Sequence, residues 1–138
     1  MVGFKVGCIW YEIGAVSFLH SFFSTVAYNL ECGNWGTRFP VIMNELYQGK
    51  LTNANVPNAK AELNTIESEL KKLPPDKVIW DMEDLGKQPP WGTRISNQIT
   101  DLSNYFVTSD GRDFLTIFRK ALDAAIEIKT DIIISSAA

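Results

Sequence analysis

Histidine occurs once, at His20, and cysteine twice, at Cys8 and Cys32, in a chain of 138 residues. A structural zinc site needs about four Cys or His ligands at short spacings, and this sequence has too few on separate elements to build one. Two cysteines do not make a disulfide framework; without a secretory signal they read as free buried thiols in a reducing compartment. Long hydrophobic runs are missing as well. The most apolar stretch, residues 15–30, is interrupted by Ser17, His20, Ser21, Ser24, Thr25 and Asn29, too polar and slightly too short to cross a bilayer. The N-terminus carries Lys5 but no apolar run followed by a small-residue cleavage site, so a cytoplasmic protein is expected, with no membrane partner. Gly33, Gly36 and Gly49 are too far apart for a phosphate cradle, and no Gly-Lys-Ser/Thr follows a strand. Asp110-Gly111-Arg112-Asp113 lacks the further oxygen ligands of a calcium loop and reads as a turn. No cofactor or metal is expected.

What is present is an ordinary globular composition, 46% hydrophobic and 21% charged, in a length that buries one core without a linker, so residues 1–138 are read as one domain. The net charge of −3 is unevenly placed. Residues 1–75 carry six basic and six acidic groups and residues 114–138 three of each, whereas residues 76–113 carry four basic and seven acidic. An acidic block disfavours the phosphate backbone of a nucleic acid and suits a basic protein partner.

Residues 4–13 (FKVGCIWYEI) are dense in aromatic and β-branched side chains and predict a first, interior strand. From Ser17, Phe18, Phe22, Val26 and Leu30 recur every fourth residue and predict a helix ending near Gly33. Residues 34–40 (NWGTRFP) read as a structured loop, residues 41–47 as a short helix or a strand, and residues 50–56 as a polar turn. Asn55 and Pro57 suit the start of a helix whose stripe is Ala59, Leu63, Ile66, Leu70 and Leu73, closed by Pro74-Pro75. Strands are expected at 77–81 and 102–108, an exposed acidic loop between 82 and 91, and a turn at Ser109-Asp110-Gly111 that doubles as a helix N-cap. Phe114, Ile117, Phe118, Ala121, Leu122 and Ala125 mark a last helix, followed by a buried strand at 132–134. The class is α+β: a small mixed or antiparallel sheet of about four strands with about three packed helices, in the order β-α-(variable)-α-β-β-α-β.

No side-chain constellation points to chemistry. His20 falls on the polar edge of the first helix, with no nucleophile or orienting group at a motif spacing, and reads as a surface or capping residue. Asp81, Glu83 and Asp84 (DMED) are the one carboxylate cluster that invites a divalent metal; a small metal-dependent hydrolase or nuclease is therefore the alternative reading, a homo-oligomerising accessory domain a further one. A solvated acidic loop explains the same residues without a metal. Trp35 and Trp91 lie in Gly/Pro-containing loops, where large aromatics either lock the loop or bind a partner. Arg38 and Arg94 follow them at the same offset, within a repeated Trp-Gly-Thr-Arg that is too short to be a structural repeat.

Trp35-Gly36-Thr37-Arg38-Phe39-Pro40, the downstream Lys72-Leu73-Pro74, and the region from Pro89-Pro90-Trp91-Gly92 to Asp110-Gly111 together resemble the immunity protein 70 family of bacterial polymorphic toxin systems, across most of the chain. The resemblance implies a non-enzymatic cytoplasmic antidote encoded beside a secreted toxin, which it neutralises by binding the toxin's C-terminal domain. It assigns no binding residue position by position. The residues themselves point to loops 35–40 and 81–94 as a rim in which Asp81, Glu83 and Asp84 steer a basic cleft, Trp35 and Trp91 anchor, and Arg38 and Arg94 stack on the rings or pair with the acidic block.

Overall fold

The computed structural model describes residues 1–90 and 97–136. Four antiparallel strands form one sheet in the order β2-β1-β4-β3, with β1 Val2–Val6, β2 Ile9–Gly14, β3 Lys50–Leu51 and β4 Ile132–Ser136. The helices are α1 Val16–Leu30, α2 Val56–Leu70 and α3 Phe114–Ile128, with a π-helical turn at Val41–Leu46. The α+β class and the antiparallel sheet stand as expected from the sequence. The order does not: it runs β-β-α-(π)-β-α-α-β.

Four changes account for that difference. Residues 4–13 are a hairpin, because Gly7 (φ +62) supplies the positive φ that the first central position of a type II′ turn requires, with Val6 facing Ile9 across it. Residues 77–81 make no strand; hydroxyls of α1 satisfy their backbone instead, with Ser21 and Thr25 donating to Ile79 O and Ile79 N–H donating to Thr25 Oγ1. Residues 102–108 bury Leu102, Tyr105 and Phe106 but pair only through an isolated bridge between Val107 and Asp113. The two-residue β3, read from sequence as turn, pairs instead with Ile132 and Ile133 of β4.

Alternation along β1 sends Val2, Phe4 and Val6 into the core and Lys5 to solvent. Helices cover the inner face, where Phe4, Phe22, Phe106, Phe114 and Phe118 meet at ring separations from 4.9 Å (Phe22–Phe114) to 6.2 Å (Phe22–Phe118). The opposite face carries exposed Lys5, Trp10 and Ile133. Asn55 stands at the N-cap position of α2, yet its side-chain amide donates to Glu45. Asp113, rather than the Ser109-Asp110-Gly111 turn, caps α3 by accepting from Thr116 N–H. No helix among the described residues is long and apolar enough to cross a membrane.

Candidate functional site

The loop after α1 is built around one buried acid. Glu31, 2% exposed, accepts from the backbone N–H groups of Gly36 (3.0 Å), Arg38 (2.9 Å) and Phe39 (3.1 Å), so its charge spreads over three peptide dipoles. Gly36 (φ +80) lies against Asn44, where an added Cβ would come within 2.3 Å of the amide nitrogen. Glu62 of α2 continues the clamp by accepting from Val41 and Ile42 N–H at the start of the π-helical turn, and burial pushes its carboxyl above the ordinary range.

This scaffold fixes Trp35 and Arg38 in different directions. Trp35 is half-buried, donates from Nε1 to Met43 O at 2.7 Å, and packs edge-on against Tyr47 with centroids 4.8 Å apart. Arg38 turns to α2: its guanidinium donates to both Glu69 oxygens and to Leu30 O, and it lies over the Phe39 ring at 4.9 Å. The Arg38 guanidinium holds the Glu69 carboxyl below its usual range.

The carboxylate loop is attached to α1 through a row of polar side chains. Beyond the Ser21 and Thr25 contacts, Ser24 Oγ accepts from Met82 N–H and Asn29 donates to Lys77 O. These residues, which interrupt the apolar stretch in the sequence, form a buried polar seam that docks 77–82. At its end Asp81 accepts from Glu83 N–H (2.9 Å), lies 3.3 Å from His20 Nε2, and lies 3.5 Å from Lys87 Nζ. The Glu83 N–H bond, then the His20 contact, keep the Asp81 carboxyl below its usual range. Glu83 and Asp84 are exposed, with Asp84 accepting from Gly86 N–H.

His20 joins the two loops. Its ring stacks beside Trp35 (centroids 6.4 Å apart), its Nδ1 lies 3.1 Å from Tyr47 Oη, and its Nε2 reaches Asp81. Trp35 and Asp81 thus belong to one surface, with Glu83 and Asp84 in the same loop as Asp81. Arg38 faces α2, and Trp91 and Arg94 lie outside the described residues. His20, read from sequence as a surface or capping residue, is the hub. Its signal was a place beside the polar row Ser21, Ser24 and Thr25; Tyr47 offered none. No three His, Cys, Asp or Glu side chains among the described residues are placed to hold a metal ion, so the metal-hydrolase alternative has no ligand set there.

A family model, Immunity protein 70, matches residues 4–134, nearly the whole chain. The chain belongs to the immunity protein 70 family. No curated protein and no solved structure matches it. For this family member, membership points to an immunity protein that neutralises a toxin, and implies a toxin as partner. The Trp-Gly-Thr-Arg-Phe-Pro sequence common to the resemblance and to this fold is the loop that Glu31 closes and Trp35 locks.

Proposed function

We propose that the chain is a non-catalytic cytoplasmic antidote that binds the C-terminal domain of a cognate secreted toxin and neutralises it. The family match over residues 4–134 carries this reading. The site supports it physically. Asp81, Glu83 and Asp84 put negative charge beside a rigid aromatic cluster of His20, Trp35 and Tyr47, and opposite charge speeds encounter while packed aromatics hold the complex. Trp91, Arg94 and Arg38 are proposed as further partner-binding residues, Arg38 from its place on the α2 side.

The test is co-expression of the chain with the C-terminal domain of the adjacent open reading frame, scoring growth and co-purification. Rescue with a stable complex is expected. The Asp81→Asn/Glu83→Gln/Asp84→Asn variant should associate about tenfold more slowly at low salt, with the difference fading as salt screens it. Toxicity without rescue and without a complex would overturn the proposal.

A further inference from the structure

Between the first turns of α1, the β1–β4 pair and the end of the π-helical turn lies a cavity of about 260 Å³. Val2, Val16, Leu19, Phe23, Tyr47 and Ile134 wall it, with His20 at one side. The volume is below the roughly 300–1,000 Å³ of small-molecule sites and suits a single long side chain. Val16, 64% exposed, leaves it open to solvent.

Its polar end has a direction. The Asp81 carboxylate only accepts, so His20 Nε2 carries a proton and donates there, while Nδ1 and the Tyr47 hydroxyl share the second hydrogen bond. Both donors are used within the triad. At the cavity itself the remaining acceptor is the Tyr47 oxygen; the Asp81 carboxylate stands one contact beyond the lining, 3.3 Å from His20 Nε2, with the exposed Glu83 in the same loop. Lys87, 58% exposed and 3.5 Å from Asp81, is a loose and displaceable counter-ion. Burial, with the nearby charges of Glu83 and Asp81, holds the Tyr47 hydroxyl above its ordinary pKa, in keeping with a negative field at this end. An acidic group would be repelled here by the neighbouring carboxylates, and a purely apolar one would make no use of them. A cationic head on an apolar stem satisfies both ends.

We infer that this cavity is the subsite for a lysine or arginine side chain of the partner, its stem against Val16, Leu19 and Phe23 and its head at Tyr47, directed toward the Asp81 and Glu83 carboxylates beyond the lining. The inference rests on the toxin-binding reading and names the residue class the toxin presents.

The probe is n-pentylamine, a detached lysine side chain, titrated into the isotopically labelled protein at neutral pH beside pentan-1-ol as the neutral isostere. Saturable amide shifts centred on Val16, Leu19, His20 and Tyr47 are expected, with the amine binding about two- to fivefold more tightly, the worth of one partly exposed charge contact. Asp81→Asn should abolish that preference while the alcohol still binds. Val16→Trp, at an exposed position that tolerates a larger side chain, should fill the cavity, abolish both responses, and weaken capture of the cognate toxin domain about tenfold or more. No saturable shift at these residues, or equal responses to amine and alcohol, would overturn the inference. A wild-type chain that captures the toxin domain no better than Val16→Trp overturns the cavity's role and leaves toxin binding intact. A wild-type chain that captures no toxin domain overturns the toxin-binding reading itself and the partner assignment with it.

Discussion

Replacing Glu31 with Gln tests whether a buried charge or its hydrogen bonds governs the loop that carries Trp35. Two opposing terms meet at this residue. Glu31 is almost fully buried, and desolvating a carboxylate costs several kcal/mol, so a neutral isostere would stabilise the fold if desolvation dominated. Against that stand three N–H donors, each worth roughly 1.5–3 kcal/mol to a charged acceptor. Gln keeps one oxygen, which can serve Arg38 and Phe39, and turns an NH₂ toward Gly36 N–H. The Gly36 bond is then lost at about 1–3 kcal/mol, and the other two weaken by roughly 0.5–1 kcal/mol each. The hydrogen-bond losses sum to about 2–5 kcal/mol and are opposed by the desolvation cost that Gln escapes, so Glu31→Gln should be destabilised by about 1–2 kcal/mol net, still a sizeable part of a domain's ~5–15 kcal/mol. Urea denaturation with an unchanged m-value measures the loss, and the Gly36, Arg38 and Phe39 amide resonances report its location. A variant as stable as wild type, or more so, would refute the reasoning, because it would place desolvation above the peptide dipoles.

Gly36→Ala should cost about 1–3 kcal/mol, combining a positive-φ penalty with displacement of Asn44. In the Gly36→Ala/Asn44→Ala double variant only the steric part should return; complete recovery by urea denaturation would show that the backbone conformation costs nothing. The Glu69 carboxyl is depressed in the fold by Arg38, so its contribution is present at neutral pH and is lost as pH falls through the folded-state value, below about pH 4. The pair is partly exposed, and Glu69→Gln should therefore lower stability by only about 0.5–1 kcal/mol at neutral pH. Melting curves of the two proteins should converge on acidification, and a gap that widens would contradict the assigned direction.

The helices were legible because their apolar spacing is decided locally. Phe18, Phe22, Val26 and Leu30, or Leu63, Ile66 and Leu70, cannot all reach a core in any other conformation. The strands were less so. Gly7-Cys8 sits inside an aromatic and β-branched run whose composition suits a strand throughout, and only the positive φ of Gly7 divides it. Residues 77–81 have strand composition too, yet their hydrogen-bonding needs are met by α1 hydroxyls about 54–58 residues away, a competition that no local window contains.

The same distance argument separates what could be foreseen of the site from what could not. Trp35 and the Asp81, Glu83 and Asp84 cluster stand out by residue type alone. Their union does not, because it depends on His20 reaching Tyr47 across 27 positions and Asp81 across 61. A single histidine with no nearby ligand or nucleophile looks inert in sequence. It becomes informative only when the polar stripe of α1 is read as a docking seam rather than as a failed membrane span. Ser21, Ser24 and Thr25 are fully buried, and a buried hydroxyl needs a partner. A stripe of them on an otherwise apolar helix therefore implies that an irregular segment must be seated there. The residue one position N-terminal to the stripe, His20, is then the one placed to touch what that segment carries.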